Sequence, residues 1–144
     1  QWTEATAAYQ QAMSIRGEIG EQHLALESRA GLARVALLQG DGARAQEHVT
    51  AILAYLDSGG SMGGMENPFQ VYLICYQVLQ AGSEPGAGQI LEQAFDALQK
   101  RVDKITPASR RPFLENVPPH HELVQVYAQA KGMTASALVE SLTP

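Results

Sequence analysis

One spacing of residues recurs three times along this chain, and it constrains the fold more than any other feature. Each copy has an alanine, a large residue four positions later, and a small or aliphatic residue three positions after that. The alanines that open the copies lie 40 and 42 positions apart. A period of this size is typical of stacked helical repeats, which serve as binding surfaces far more often than as enzymes. The three copies are Ala5-Tyr9-Ala12, Ala45-Val49-Ile52 and Ala87-Leu91-Ala94.

The bulk composition is that of a folded protein with little attraction for polyanions. The chain has 144 residues, of which 45% are hydrophobic and 17% charged, so it is long enough for a real core. The formal net charge is −5, which argues against general binding to nucleic acid or to anionic membranes. Residues 100–144 are an exception, with 6 basic and 4 acidic side chains. We interpret their basic run, 100–111, as the solvated end of a helix.

Cysteine usage and hydropathy favour a cytoplasmic location. The single cysteine, Cys75, excludes an internal disulfide. No apolar run reaches the length of a membrane span, and we expect no signal peptide. The chain opens at Gln1-Trp2 within a helical pattern and without an initiator methionine. We therefore expect it to be a segment of a longer protein.

Hydrophobic periodicity predicts helices along the whole chain and no strand. Turn and cap signals separate the helices: Gly40-Asp41-Gly42 closes one helix and caps the next, and Asn67-Pro68 starts another. Thr134 is a further predicted cap. The helix around residue 75 is apolar on most sides, which indicates burial on two faces or one face offered to a partner. The predicted helices span 2–16, 22–39, 42–56, 68–81, 86–104, 107–114, 120–131 and 135–142.

A glycine-rich segment, 58–66, lies between two predicted helices. Loops of this kind cradle phosphate when a strand precedes them and a helix beginning with Lys-Ser or Lys-Thr follows. Neither condition is met here. The sequence predicts a flexible loop and no nucleotide cofactor.

The order of these signals resembles the tetratricopeptide repeat (TPR) family over residues 2–104. Two repeats carry the resemblance, each with its small and aliphatic residues in the family's order. It implies an all-α, right-handed solenoid of helical hairpins. The implied parts are a partial first repeat at 2–16, repeats at about 22–57 and 67–104, and a C-terminal helical cap at 105–144. The residues that match are Leu32-Ala33, Ala36, Gly40-Asp41 and Ala45, then Ile74-Cys75, Val78, Gly82 and Ala87.

The sequence differs from the usual TPR pattern in two respects. Arg29 and Val71 stand where the family has a tryptophan, and the period exceeds the usual ~34 residues. Repeats of such long period resemble those of large bacterial signalling proteins and transcriptional activators. The resemblance therefore implies a protein–protein interaction scaffold, the C-terminal sensor segment of a larger bacterial regulator. Its partner would be a protein, a peptide or another domain of the same chain.

In TPR proteins the first helix of each repeat forms the concave wall on which peptides lie. Arg34 is the one cation on the implied wall, which disfavours the family's carboxylate clamp. Tyr72 and Tyr76, one turn apart, are candidates for an aromatic anchor, or else pack on neighbouring helices. The implied wall consists of Glu27, Ala30, Gly31, Arg34 and Leu38, then Phe69, Tyr72, Leu73, Tyr76 and Gln80. The candidate contacts within it are Arg34, Phe69, Tyr72, Tyr76 and Gln80.

The sequence suggests three other functions for comparison. Self-association through a helix that exposes Trp2, Tyr9 and Met13 is the main alternative, and it would give a homodimer with no peptide ligand. Metal-dependent hydrolysis through His120-His121-Glu122 is disfavoured, because adjacent helical residues point about 100° apart. Nucleic-acid binding through 100–111 conflicts with the acidity of the chain. With no identifiable nucleophile and base, we expect no enzyme activity and no cofactor.

Overall fold

Every secondary-structure element in the described part of the chain is a helix, as the periodicity predicts. The computed structural model describes residues 2–18, 22–59, 65 and 67–144, without the side chains of 13–18 and 22–24. The predicted loop 58–66 thus falls largely outside the described residues, and the first helix continues to Glu18, two residues beyond its predicted end at residue 16. The helices are α1 Trp2–Glu18, α2 Gln22–Leu38, α3 Gly42–Asp57, α4 Pro68–Ala81, α5 Ala87–Asp103, α6 Pro107–Glu115, α7 Pro118–Ala130 and α8 Ala135–Leu142.

The chain divides into two compact units, Gln1–Ala87 and Gly88–Pro144. The boundary between these units lies at the start of α5. The cause is the set of contacts that α5 makes. Phe95 and Glu92 of α5 contact Tyr127 of α7, so α5 belongs with the helices that follow it.

In the first unit α2 is the central helix. It packs against α1, α3 and α4, and α3 also packs against α4. The connection from α2 to α3 follows the predicted turn. Gly40 adopts a φ of 80°, and the Asp41 carboxylate accepts a hydrogen bond of 3.1 Å from the Arg44 backbone N–H. Asp41 thereby satisfies one of the amides that the start of α3 would otherwise leave without a partner.

In the two full repeats, the helical positions of the repeat pattern form the interior. The first copy is more exposed, because Ala5 and Ala12 are half-buried and Tyr9 has 38% of its surface exposed. All six in each of the two repeats are buried, with exposed fractions of 4% or less. Alanine and cysteine occupy half of them, which lets helix axes approach closely, while leucine, isoleucine and valine fill the space between. These residues are Leu32, Ala33, Ala36, Ala45, Val49 and Ile52, then Ile74, Cys75, Val78, Ala87, Leu91 and Ala94.

The start of α4 is held from α2. Pro68 occupies the first turn, where its missing N–H costs nothing. The Asn67 side chain makes no capping bond there, but its backbone N–H donates to the Glu27 carboxylate of α2 at 3.2 Å. Seven side chains of α4 are buried, which agrees with the nearly continuous apolar pattern of this segment.

The second unit continues from α5 through three shorter helices. α7 packs against α6 and against α8, around Leu114 and Leu123, which are completely buried. α7 starts at Pro118, two residues before the predicted start, because a proline pair suits a first turn. Thr134 caps α8 as predicted, since its hydroxyl accepts a 3.1 Å hydrogen bond from the Ala137 N–H.

Candidate partner-binding surface

The α2 part of the predicted wall is a narrow stripe. Glu27, Arg34 and Leu38 lie one to three turns apart on one side of α2. Arg34 is exposed, Glu27 is half-buried, and Leu38 has 59% of its surface exposed, the largest value among the exposed large hydrophobic residues. Ala30 and Gly31, also predicted for the wall, are buried. The stripe therefore offers the Arg34 guanidinium and the apolar side chain of Leu38, while the Glu27 carboxylate already accepts a hydrogen bond from the Asn67 N–H.

Tyr9 of α1 covers the middle of this stripe, which the sequence did not predict. A Cβ placed on Gly31 would lie 2.8 Å from Cδ1 of the Tyr9 ring, closer than real Cβ contacts permit. Glycine at 31 is thus what allows the ring to lie on α2. The ring itself remains 38% exposed, so it adds an aromatic surface between Glu27 and Arg34.

The α4 part of the wall presents fewer groups than predicted. Tyr72 and Tyr76 are half-buried and Gln80 is exposed, and these three follow one another at intervals of one turn. Phe69 and Leu73 have exposed fractions of 5% and 0%. Phe69 is therefore part of the interior and offers almost no surface to a partner.

The two stripes belong to one compact unit. α2 packs directly against α4, and the bond between Glu27 and the Asn67 N–H ties the first half of α2 to the start of α4. Of the five candidate contacts, Arg34, Tyr72, Tyr76 and Gln80 retain surface for a partner.

Within the described part of α2 and α3, the half-buried His48 is the residue whose pKa is clearly shifted. Arg29 of α2 lies with Nη1 3.3 Å from Nδ1 of His48 on α3. Arginine has no acceptor, so this contact is a hydrogen bond only when Nδ1 is unprotonated. Partial burial lowers the pKa of His48, and the positive charges of Arg29 and Arg44 lower it further. This arrangement stabilises the neutral ring and supplies no acid–base partner.

The thiol of Cys75 is unsuited to chemistry. Its side chain is completely buried in α4, and burial raises its pKa to about 12. At neutral pH it is protonated and acts as a small apolar residue, as the sequence indicated.

His120 and His121, which are adjacent in the sequence, have different surroundings in the structure. His120 is half-buried, with Nδ1 2.9 Å from the Phe113 carbonyl oxygen, to which its N–H donates, and with its ring 4.1 Å from the Phe113 ring. His121 is exposed. No group of three or more His, Cys, Asp or Glu side chains among the described residues is arranged to hold a metal ion. Across the same residues, no helix has both the length and the apolar character of a membrane span.

A second polar cluster, between α5 and α7, was missed from the sequence. The Glu92 carboxylate accepts a 3.3 Å hydrogen bond from the Tyr127 hydroxyl and pairs with the Lys131 ammonium at 2.6 Å. Hydrogen bonding to Lys131 lowers the pKa of Glu92, and the same bond raises the pKa of Lys131. The spacing of Tyr127 and Lys131 by one turn was visible, but nothing in a single sequence pairs them with α5.

No protein-family model, curated protein or solved structure matches this chain.

Proposed function

We propose that this chain is a protein–protein interaction segment that binds an extended peptide along the α2 and α4 stripes. The observation that carries the proposal is the stripe Tyr72, Tyr76 and Gln80 beside α2, on helices whose opposite sides are buried. Tyr72 and Tyr76 are half-buried, and a tyrosine side chain has few rotatable bonds, so each loses little conformational entropy when a partner covers it.

The same proposal includes a specific arrangement of the helices. It is a right-handed solenoid of TPR-like hairpins with a C-terminal helical cap, placed as a cytoplasmic sensor segment of a larger bacterial regulator. Its support is the burial of all twelve repeat-spaced positions. Sequencing the gene upstream of the Gln1 codon tests the regulator context. Further repeats of about forty residues after a nucleotide- or DNA-binding domain would support it, and a start codon after a few repeats would contradict it.

The binding surface is tested by selection from a displayed library of random peptides, followed by affinity measurements on variants. We expect Tyr76→Ala to weaken a selected peptide at least about tenfold, or about 1.4 kcal/mol. Arg34→Ala should weaken peptides that carry a carboxylate. The matched control is Tyr55→Ala, which removes a half-buried tyrosine from α3 and should leave the affinity unchanged. Peptides that bind equally well to all three variants would contradict the proposal.

Self-association is the second candidate, and the exposure of α1 favours it. Trp2 and Tyr9 have 46% and 38% of their surface exposed on the same helix, a larger aromatic surface than a solvated helix requires. Met13, the third predicted contact, lies outside the described side chains. Sedimentation velocity over a range of concentrations tests this candidate. A dimer that Trp2→Ala weakens would favour it, and a monomer at every concentration would exclude it.

A further inference from the structure

Several cations lie at the junction of α5 and α6, and the proposed peptide-binding surface on α2 and α4 does not involve them. Residues 100–111 contain five basic side chains and one acidic one, in a chain whose net charge is −5. The segment belongs entirely to the second unit and is fully described. Its cations fall into two groups that the structure distinguishes by their partners.

Two of the five cations are paired within their own helices. Lys100 lies 3.0 Å from the Asp96 carboxylate, and Arg111 lies 3.4 Å from that of Glu115. Both pairs have the one-turn spacing that is common on exposed helix faces, and they are ordinary surface ion pairs.

The other three cations, Arg101, Lys104 and Arg110, lie on or beside the turn that joins α5 to α6. The Lys104 N–H donates to the Arg101 carbonyl oxygen at 3.1 Å, and Nε of Arg110 donates to the Ile105 carbonyl oxygen at 3.1 Å. No ion pair joins any of the three to a carboxylate in the described part of the chain. We call these three residues the basic corner.

The carboxylate nearest in sequence does not neutralise this corner. Asp103 is exposed and forms no ion pair among the described residues. It is two positions from Arg101 on α5, so the two side chains point about 200° apart around the helix.

Helix dipoles do not compensate the corner either. The C-terminal end of α5 supplies about half a negative elementary charge, and the N-terminal end of α6 supplies about half a positive one. The two partial charges therefore cancel, and the three cations form no ion pair among the described residues. Arg101 also influences His120 of α7. Burial is the main cause of the lowered pKa of His120, and the positive charge of Arg101 lowers that pKa further.

We propose that the basic corner binds a carboxylate-rich segment of a partner protein. Such a segment can be short, so it touches the corner without bringing a long polyanion against a chain of charge −5. A nucleic acid would extend beyond the corner and meet the net negative charge of the molecule, which disfavours it. This surface is independent of the α2 and α4 stripes, so the two proposals succeed or fail separately.

The test is fluorescence anisotropy with a labelled oligoglutamate peptide, using the whole chain at low and at high NaCl. We expect binding that weakens with salt and that the double variant R101Q/K104Q reduces at least tenfold. The matched control K100Q/R111Q removes the same number of charges from the same segment, but from cations that are already paired. We expect it to have a much smaller effect. Equal loss in the two double variants, or no binding of oligoglutamate, would overturn the proposal.

Two further measurements separate the ligand classes and exclude indirect effects. A single-stranded oligonucleotide that binds more tightly than oligoglutamate, or inorganic phosphate that displaces the peptide at matched ionic strength, would overturn the assignment to a protein segment. Histidine titration by NMR supplies a local readout. Saturation with oligoglutamate should raise the pKa of His120, because it neutralises Arg101, and an unchanged pKa would count against binding at this corner.

Discussion

The ring of Tyr127 lies flat on the ring of Phe95, with centroids 3.8 Å apart and planes 6° from parallel. Directly stacked rings gain little from their quadrupoles, so this contact stabilises mainly through the apolar area that it buries between α5 and α7. The Lys131 ammonium lies 5.3 Å from the centroid of the Tyr127 ring, and the hydroxyl of that ring bonds Glu92. One side chain thus joins an apolar and a polar contact between two helices.

Tyr127→Ala should lower the free energy of unfolding by about 2 kcal/mol, roughly half the cost of truncating a fully buried aromatic residue. Tyr127→Phe keeps the stacked ring and removes only the hydroxyl, so its effect should be clearly smaller. Urea unfolding of both variants measures the difference. Equal losses would mean that the bond to Glu92, and not the stack, holds α7 to α5.

Gly31 and Tyr9 should behave as a coupled pair. Alanine at 31 raises helix propensity, which is worth about 0.5–1 kcal/mol, but its Cβ would displace the Tyr9 ring. In a Tyr9→Ala background that space is open, and Gly31→Ala should stabilise the chain by the full amount. In the wild-type background the gain should be reduced or reversed. A double-mutant cycle by urea unfolding measures the coupling, and the same effect in both backgrounds would contradict this packing.

Stability should fall as the solution is acidified through the range in which histidine titrates. The pKa values of His48 and His120 are both lowered in the folded chain, in each case chiefly by burial. The unfolded chain, with histidine near 6.5, then binds more protons, so the free energy of unfolding is constant above that value and decreases below it. His48→Gln should flatten part of this slope, and His120→Gln another part. A slope unaltered in both variants would assign the pH dependence to other groups.

The Cys75 thiol should report on opening of the first unit. With a pKa of about 12 and no exposed surface, it should not react with a thiol reagent under native conditions near neutral pH. The same reagent should label it rapidly in urea, where the thiol regains an ordinary pKa. Labelling at comparable rates in both conditions would show that the α4 interior opens frequently.

Helix positions followed from the sequence because their causes are local. Apolar spacing and the Asp41 and Thr134 caps gave bounds within a few residues of those observed, and α8 lies where it was predicted. Which side of a helix remains open depends on other helices. The TPR resemblance implied that Gly31 and Phe69 belong to the wall. In the structure Tyr9 covers Gly31, and Phe69 is buried in the interior of the unit.

The place of α5 in the second compact unit could not be predicted from the sequence for a related reason. The repeat spacing assigns α5 to the helix before it, because Ala87, Leu91 and Ala94 continue the pattern. Glu92 and Phe95 of α5 both contact Tyr127, which lies about 35 positions further along the chain. One sequence contains no signal for such pairings, and the same holds for the grouping of Arg101, Lys104 and Arg110 at the turn that joins α5 to α6.

The burial of all twelve repeat-spaced positions has a consequence for how this chain can change over time. Those positions admit few substitutions, since a larger residue overpacks a helix contact and a smaller one leaves a cavity. Positions 34, 38, 76 and 80 retain exposed surface and can vary without disturbing that interior. Descendants of this sequence, or a library randomised at those four positions, can therefore explore new partners while the fold is inherited unchanged.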